Sequence, residues 1–294
     1  MHDQTAPPPL VSIVVPAYKP HFIRACLKSA QAQTYRDIEI VVSDDCPDDK
    51  IAEACGEFKN LKYSRNPRPG HYSNFDRCIA LAEGSLIKFL FDDDLLEPNC
   101  VSEMVAAFLS NNTPVALVAC RYHQIDEAGR FLARRGFEVE HTVNVLSDAI
   151  AVKSILFHTT NFIGSLSSTL FPRALTEELG PEYFTRRMRG GARGLSDVAF
   201  YFDIRNSGDV IYLDRTLVQF RLSRFNLSNA DSNVAAQLTL TAWEELLMEA
   251  GESSLLSATG VSHAVQTLVQ RYKRLEGRFP ELVARRERLT RRSM

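Results

Sequence analysis

The chain has 294 residues, of which 45% are apolar and 24% charged, with a formal net charge of -2. That length can bury one large core or two modest ones, and the composition is that of an ordinary globular protein, not a disordered or fibrous one. The near-neutral balance supplies no global field for nucleic acid or an acidic membrane, and no apolar run approaches the roughly 20 residues that span a bilayer.

The opening segment, "MHDQTAPPPL", lacks the basic-then-apolar layout of a secretory signal. The six cysteines (Cys26, Cys46, Cys55, Cys78, Cys100, Cys120) form no CxxC pair. Reduced thiols in a cytoplasmic protein are the expectation.

"LVSIVV" (Leu10 to Val15) is a β-branched apolar run closed by Pro16 and reads as a buried strand. "HFIRACLKSAQAQ" carries Phe22, Ile23, Cys26, Leu27 and Ala30 at helical spacing. "DIEIVVS" is a second strand, "KIAEACGEF" a short helix and "LKYS" a third strand. "YSNFDRCIALAEG" is a helix stopped by Gly84, and "SLIKFLF" a fourth strand. Strand and helix alternate, which predicts a parallel sheet with crossover helices. In the common order 3-2-1-4, the loops "PAYKP", "SDDCPDD" and "FDDD" meet at one sheet edge, where open α/β sheets bind ligands.

Beyond Asn112 the pattern loosens. "PVALVAC" reads as a buried strand, "VLSDAIAVKSILF" as a helix and "SLSSTLF" as a strand. "TRRMRGGARGLSD" is rich in Arg and Gly and reads as a mobile loop, either plainly solvated or closing over a bound diphosphate. "DVAFYFDIRNSG" is a helix, followed by the strands "VIYL" and "TLVQFRL". From about Asp231 the chain reads as helices. Trp243, with Leu240, Leu246 and Leu247, reads as packing, Gly164 as a tight turn or close approach, and His158 as a core or surface residue. The last stretch, Arg271 to Met294, holds nine Arg/Lys against three Asp/Glu, a net +6. It is either a solvated helix face or a contact with an anionic membrane surface near a lipid-linked acceptor.

The triplet Asp92, Asp93 and Asp94 ends an apolar run abruptly. Carboxylates roughly 6 Å apart at an effective dielectric of about 20 repel by about 3 kcal/mol. Solvent, a basic side chain or a bound cation has to compensate. Oxygen donors of this kind suit Mg²⁺ or Mn²⁺, which also bind phosphates. There is no G-x-G-x-x-G after the first strand, and no P-loop, G-x-S-x-G or H-E-x-x-H anywhere.

"VSIVVPAYKPHFIRACLKSAQAQTYRDIEIVVSDDCPDD", "NFDRCIALAEGSLIKFLFDDDLLEP" and "LSDVAFYFDIRNSGDVIYLDRTLVQFRLSRFNLS" together resemble family 2 glycosyltransferases, over about Leu10 to Ser228. The resemblance implies an α/β fold of GT-A type: a Rossmann-like, mostly parallel central sheet flanked by helices. The transferase domain would occupy residues 1–230 and a helical C-terminal appendage 231–294. It implies an inverting, metal-dependent enzyme that moves a sugar from a nucleotide-diphosphate donor, uridine-linked for choice, to a hydroxyl of a glycan or lipid-linked acceptor, without nucleic acid.

Position by position, Pro16, Ala17 and Tyr18 would border the base, and Asp44 would accept a hydrogen bond from it. Asp45 would cap the following helix, Asn74 matches an Asn on the helix before the acidic strand, and Arg68 would approach base or phosphate or stand solvated. Asp92 would face the ribose, and Asp93 or Asp94 would hold Mn²⁺ or Mg²⁺. The family's usual Asp-x-Asp-Asp begins here with Phe91, which leaves the metal ligand open among the three acids. Asp197 would be the general base, or a helix cap. Arg221 and Arg224 would grip phosphate, while Ser223 stands where many relatives carry a His. Two rivals remain: a degenerate nucleotide-sugar-binding or scaffold protein, and a nucleotidyltransferase. The latter normally needs a Gly-rich, Lys-bearing loop that "PAYKPHF" does not supply.

Overall fold

The computed structural model describes residues 7–137, 143–223, 233–277, 279–280 and 282–292. It separates into two compact units, each described here by itself. The first comprises the chain up to Asp148, Phe162–Thr185 and Asn206–Ser223; the second comprises Ala149–Asn161, Arg186–Arg205 and the chain from residue 224. A single division after residue 230 would therefore join to the sheet two segments that cluster with the C-terminal helices.

In the first unit, β1 (Val11–Ala17), α1 (Ile23–Gln31), β2 (Ile38–Asp44), α2 (Lys50–Gly56), β3 (Leu61–Arg65), α3 (His71–Leu81) and β4 (Leu86–Phe89) alternate as the sequence suggests. There follow β5 (Leu95–Leu96), α4 (Cys100–Ser110), β6 (Val115–Ile125), β7 (Phe131–Arg135) and β8 (Val143–Ser147). α5 (Asp148–His158) leads into the second unit, and β9 (Thr169–Pro172) and α6 (Arg173–Leu179) belong to the first. The remaining elements are α7 (Tyr183–Arg189), α8 (Ser196–Asp203), β10 (Asp209–Arg221), α9 (Asn233–Glu252), α10 (Ala258–Glu276) and α11 (Leu282–Arg292).

The sheet runs β3-β2-β1-β4-β9-β6-β10-β5, with β7 on β6 and β8 on β10. β3, β2, β1 and β4 are mutually parallel, whereas β9 is antiparallel to both β4 and β6. Every residue of β1 is buried, the mark of a strand covered on both faces. One face packs Ile23, Cys26, Leu27 and Ala30 of α1 and Val101 and Met104 of α4. The other gathers Phe75, Phe89, Phe171 and Phe184 into an aromatic cluster, with Phe75 5.5 Å from Phe89 and 5.4 Å from Phe184.

Several elements differ from the sequence expectation. α3 ends at Leu81, and Gly84 lies beyond it; a Cβ there would sit 2.6 Å from the Leu10 carbonyl oxygen, so glycine permits the chain to cross β1 closely. "VIYL" and "TLVQFRL" form one strand, β10, whose register against β6 slips between Leu213 and Thr216. The Asp-Arg pair between the two runs is a bulge there, with Asp214 held by Arg121 and, at 3.0 Å, by Arg134. "SLSSTLF" begins as a 3₁₀ turn over Leu166–Ser168, tied to β4 by the fully buried Lys88, whose Nζ donates to the Phe89 oxygen at 3.1 Å and to the Ser167 oxygen. Gly164 has φ +102°, and a Cβ there would stand 3.0 Å from the Tyr122 ring.

In the second unit the Arg/Gly segment is ordered. Its first half is helical, with Arg187 and Arg189 in the last turn of α7, where basic charge suits the helix dipole. Gly191 and Gly194 press on α9, where a Cβ would overlap the Glu245 carboxylate and crowd Thr239. Leu240, Trp243, Leu246 and Leu247 are buried, as expected of packing residues. The basic tail is partly neutralised within its own unit, since Arg285 pairs with Glu244 at 2.9 Å and Arg286 with Glu276. All six cysteines are buried and unpaired, and among the described residues no helix is long and apolar enough to cross a membrane.

Candidate functional site

The parallel order brings the carboxyl ends of β1, β2 and β4 side by side. β1 delivers Pro16 and Ala17 buried, then Tyr18, 57% exposed. β4 delivers Asp92, Asp93 and Asp94, at 2%, 2% and 0% exposure. The three acids do not converge on one point. Asp92 Oδ2 accepts the backbone N–H of Tyr18 at 2.6 Å and of Lys19 at 2.5 Å, tying the two loops together. Asp93 Oδ2 stands 2.5 Å from Lys19 Nζ, which is also 3.5 Å from Asp92 Oδ1. Asp94 Oδ1 accepts the Arg221 N–H at 3.0 Å, while its Oδ2 is buried with no hydrogen-bond partner.

The repulsion expected within the triplet is thus offset by a basic side chain, Lys19, that sequence reasoning did not single out. Burial works against the Lys19 ammonium, but the charges of Asp92 and Asp93 outweigh it and raise its pKa. Burial, with Asp93 adding to it, raises the pKa of Asp92 and Asp94 above the usual carboxylate range. The only sequence signal for Lys19 is a lysine placed directly after "PAY" at the end of a buried strand.

Arg221 is held within the fold. It is 4% exposed; its Nε donates to the Asp93 carbonyl at 2.9 Å and its Nη1 to the carbonyls of Asp126 and Glu127 at 2.9 and 3.2 Å. Its guanidinium also lies 4.6 Å from the centroid of the Phe22 ring. The side chain supports the acidic loop from behind. Arg224 lies outside the described residues.

Asp44, fully buried, accepts from Cys46 N at 2.8 Å and Tyr63 Oη at 2.7 Å, and pairs with Arg65 at 3.1 Å. Asp45 caps no helix: it accepts from Asn66 Nδ2 at 3.0 Å and Gly70 N at 2.8 Å, fixing the loop between β3 and α3. Asn74 donates to the Ala17 carbonyl at 3.1 Å and keeps a buried Oδ1 without a partner, close behind the end of β1. Arg68 is 69% exposed and pairs with Glu182 at 2.6 Å. It lines a cavity of about 580 Å³ between α3 and the segment from Arg173 to Thr185, apart from the acidic loop.

Asp197 belongs to the second unit, in the first turn of α8, whose N-cap position is Leu195. It is therefore not a cap. Its Oδ2 accepts the Asn161 amide at 2.8 Å and its Oδ1 the Val198 N–H at 2.8 Å. The residue keeps part of its surface, yet the protein packed around the carboxyl group pushes its pKa up to about 6. Arg187 anchors α8 from the far end, donating to Asp203 at 2.9 Å and to Glu249 of α9 at 3.0 and 2.6 Å. His158 is exposed, with Nδ1 2.9 Å from the Ser154 oxygen.

The oxygen-only donor set of Asp93 and the unpartnered Asp94 Oδ2 fit a hard cation. Among the described residues no three His, Cys, Asp or Glu side chains converge to hold one alone. A divalent ion here would take most of its ligands from phosphate and water, as Mg²⁺ commonly does.

Residues 12–175 match the family model "Glycosyl transferase family 2". An uncharacterized glycosyltransferase of Rickettsia typhi is 33% identical over 128 residues, covering 42% of this chain and 40% of that protein. The chondroitin synthase of Pasteurella multocida is 33% identical over 119 residues, covering 39% of this chain and 12% of the synthase. The chain thus matches well under two thirds of the length of either relative. Residues 1–349 of S. aureus TarS, solved with UDP-GlcNAc, superpose with a TM-score of 0.61 at 17% identity, covering 91% of this chain and 73% of that one. That likeness shows the fold, GT-A, and with the family match over more than half its length the chain belongs to glycosyl transferase family 2.

Proposed function

We propose that the protein transfers a sugar from a nucleotide-diphosphate donor, uridine-linked, to a hydroxyl of a glycan or lipid-linked acceptor, with inversion at the anomeric carbon. The observation that carries this reading is the Asp92–Tyr18/Lys19 clamp. It joins the loops after β1 and β4 at the sheet edge where α/β folds bind nucleotides, in a fold shared with a protein solved with UDP-GlcNAc.

Pro16, Ala17 and Tyr18 border the base, with Tyr18 exposed enough to cover it. Asp44 and Asn74 hold the ends of β2 and β1 in place through the hydrogen bonds described above. Each Asp44 oxygen has one hydrogen-bond donor and, as a carboxylate oxygen, keeps capacity to accept from the base. Asp92 fixes the loop on the ribose side, and Asp93 or Asp94 would hold Mn²⁺ or Mg²⁺. When bound, that ion neutralises charge on the departing diphosphate. Arg221 keeps the acidic loop in shape, and Arg68 takes no direct part in donor binding in this arrangement.

Asp197 acts as general base. A sugar hydroxyl is a weak nucleophile until its proton is accepted in the transition state, and a carboxylate with a pKa about one unit below neutrality combines ionisation with useful basicity. The Asn161 amide orients one oxygen and leaves the carboxylate able to receive the proton. Attack opposite the departing nucleotide gives inversion in one displacement.

A second reading, a binding protein without turnover, draws on the Lys19–Asp93 contact, which already satisfies the acid. A panel of nucleotide sugars with Mn²⁺ separates the readings. Nucleoside diphosphate release, slow without acceptor and faster with it, is expected of the transferase. Tight donor binding without release under any acceptor extract would indicate the binding protein, and formation of nucleoside triphosphate and sugar 1-phosphate when pyrophosphate is added would indicate a nucleotidyltransferase.

A further inference from the structure

We propose that Lys19 is a built-in counter-ion that competes with a divalent cation for Asp93 and passes to a donor phosphate when that cation binds. The inference rests on the Asp92–Asp94 loop being the diphosphate end of the donor site, and it concerns a residue to which the sequence pattern assigns no role.

The backbone of Lys19 is fixed, because its N–H and that of Tyr18 both donate to Asp92 Oδ2. The side chain alone is then able to exchange partners. Its Nζ stands 2.5 Å from Asp93 Oδ2 and 3.5 Å from Asp92 Oδ1. Both acids have only 3% of their side-chain surface exposed, against 20% for Lys19. The ammonium therefore covers the acids on their solvent side. A divalent ion that bonds to Asp93 meets the ammonium already seated at Oδ2, and two cations at one carboxylate repel.

The chemistry gives the displaced ammonium a natural partner. A lysine is a compact, strongly hydrated point charge with rotatable donors, well suited to phosphate oxygens. With cation alone, the ion displaces Lys19 and leaves it unpaired over two acids. With cation and diphosphate together, both charges are matched. The two ligands should therefore bind cooperatively, with Lys19 adding to the coupling that direct phosphate ligation of the ion supplies, and by linkage each should tighten the other by the same factor. The device would keep the acidic loop neutralised between turnovers without a resident metal.

The test is Mn²⁺ titration of the full chain, followed by electron paramagnetic resonance of free Mn²⁺, with and without UDP. In the wild type UDP is expected to tighten Mn²⁺ by about tenfold or more. Lys19→Met should bind Mn²⁺ alone about tenfold tighter than wild type and show a smaller UDP-dependent gain, reduced to the part that direct phosphate ligation supplies. Lys19→Gln carries the same expectation should the methionine variant fail to fold, Lys19→Arg should keep the competition, and circular dichroism checks each variant. Asp93→Asn should weaken Mn²⁺ in every background. Binding that depends on Asp93 but is indifferent to Lys19 would overturn the competition and leave the site standing. Absence of Asp93-dependent binding in all variants would overturn both.

Discussion

Asn161 donates its side-chain amide to Asp197 Oδ2 at 2.8 Å across 36 positions of sequence. The acid at the start of α8 is thus aimed by a residue from the segment that follows α5. Burial raises the Asp197 pKa to about 6, and the Asn161 hydrogen bond is among the contacts that hold it from rising further. A base works only when ionised, so kcat should fall as pH drops through about 6. Asp197→Asn should abolish transfer and leave donor affinity within about threefold. A wild-type rate in that variant would remove Asp197 from the mechanism.

Removing the partner should shift the profile in a defined direction. In Asn161→Leu the carboxylate loses a donor that favours its charged form, so the acid limb of kcat should move up by about half to one pH unit. Loss of aim should lower kcat by about tenfold at the plateau. A limb that stays put, or moves down, contradicts the assigned contact.

The same shift has a signature in stability. A carboxyl whose folded-state pKa is raised from 3.8 to about 6 binds its proton more tightly when folded. It contributes stability that is complete below 3.8 and lost as pH rises through about 6. Asp197→Asn has no such loss, so at about pH 8 the variant should be more stable than wild type, by up to about 3 kcal/mol. Near the acid end of the range the two should converge. Urea unfolding at both pH values checks this, and a gap that is independent of pH would refute it.

Arg187 offers a contrast between partly buried and exposed ion pairs. Its side chain is 16% exposed and bridges Asp203 and Glu249, whereas the Arg24–Glu57 pair has partners 50% and 53% exposed. Arg187→Met should cost about 1–3 kcal/mol by removing the charge that bridges two partly buried carboxylates, and Arg24→Met no more than about 1 kcal/mol. Thermal melts of the two variants decide the order, and equal losses would contradict the clamp.

The parts of the fold legible in sequence were those with strong alternation. β1 to β4 and their helices follow from apolar runs punctuated by Pro, Gly and acids, and the order β3-β2-β1-β4 matches the common arrangement. β7 escaped notice because its exposed "FLARR" pattern has no apolar face, and β5 because two residues carry no period. The bulge in β10 depends on Arg121 and Arg134 reaching Asp214, a pairing local sequence does not encode. At the site, the acids were visible as a charge cluster at a strand end. Their divergence was not, because it depends on which backbone amides and which ammonium lie opposite. The contacts of Arg221 were hidden for the same reason: its burial and the carbonyl oxygens that its Nε and Nη1 meet depend on loops distant in sequence.

The account depends most on Asp93 as the residue through which a divalent cation and a nucleotide diphosphate are held together. Calorimetric titration of UDP in the presence of Mn²⁺, wild type against Asp93→Asn, measures this directly. Affinity is expected to fall by about thirtyfold or more, roughly 2 kcal/mol, with the fold intact by circular dichroism. An Asp93→Asn variant that binds UDP and Mn²⁺ as tightly as the wild type would contradict the assignment of the acidic loop.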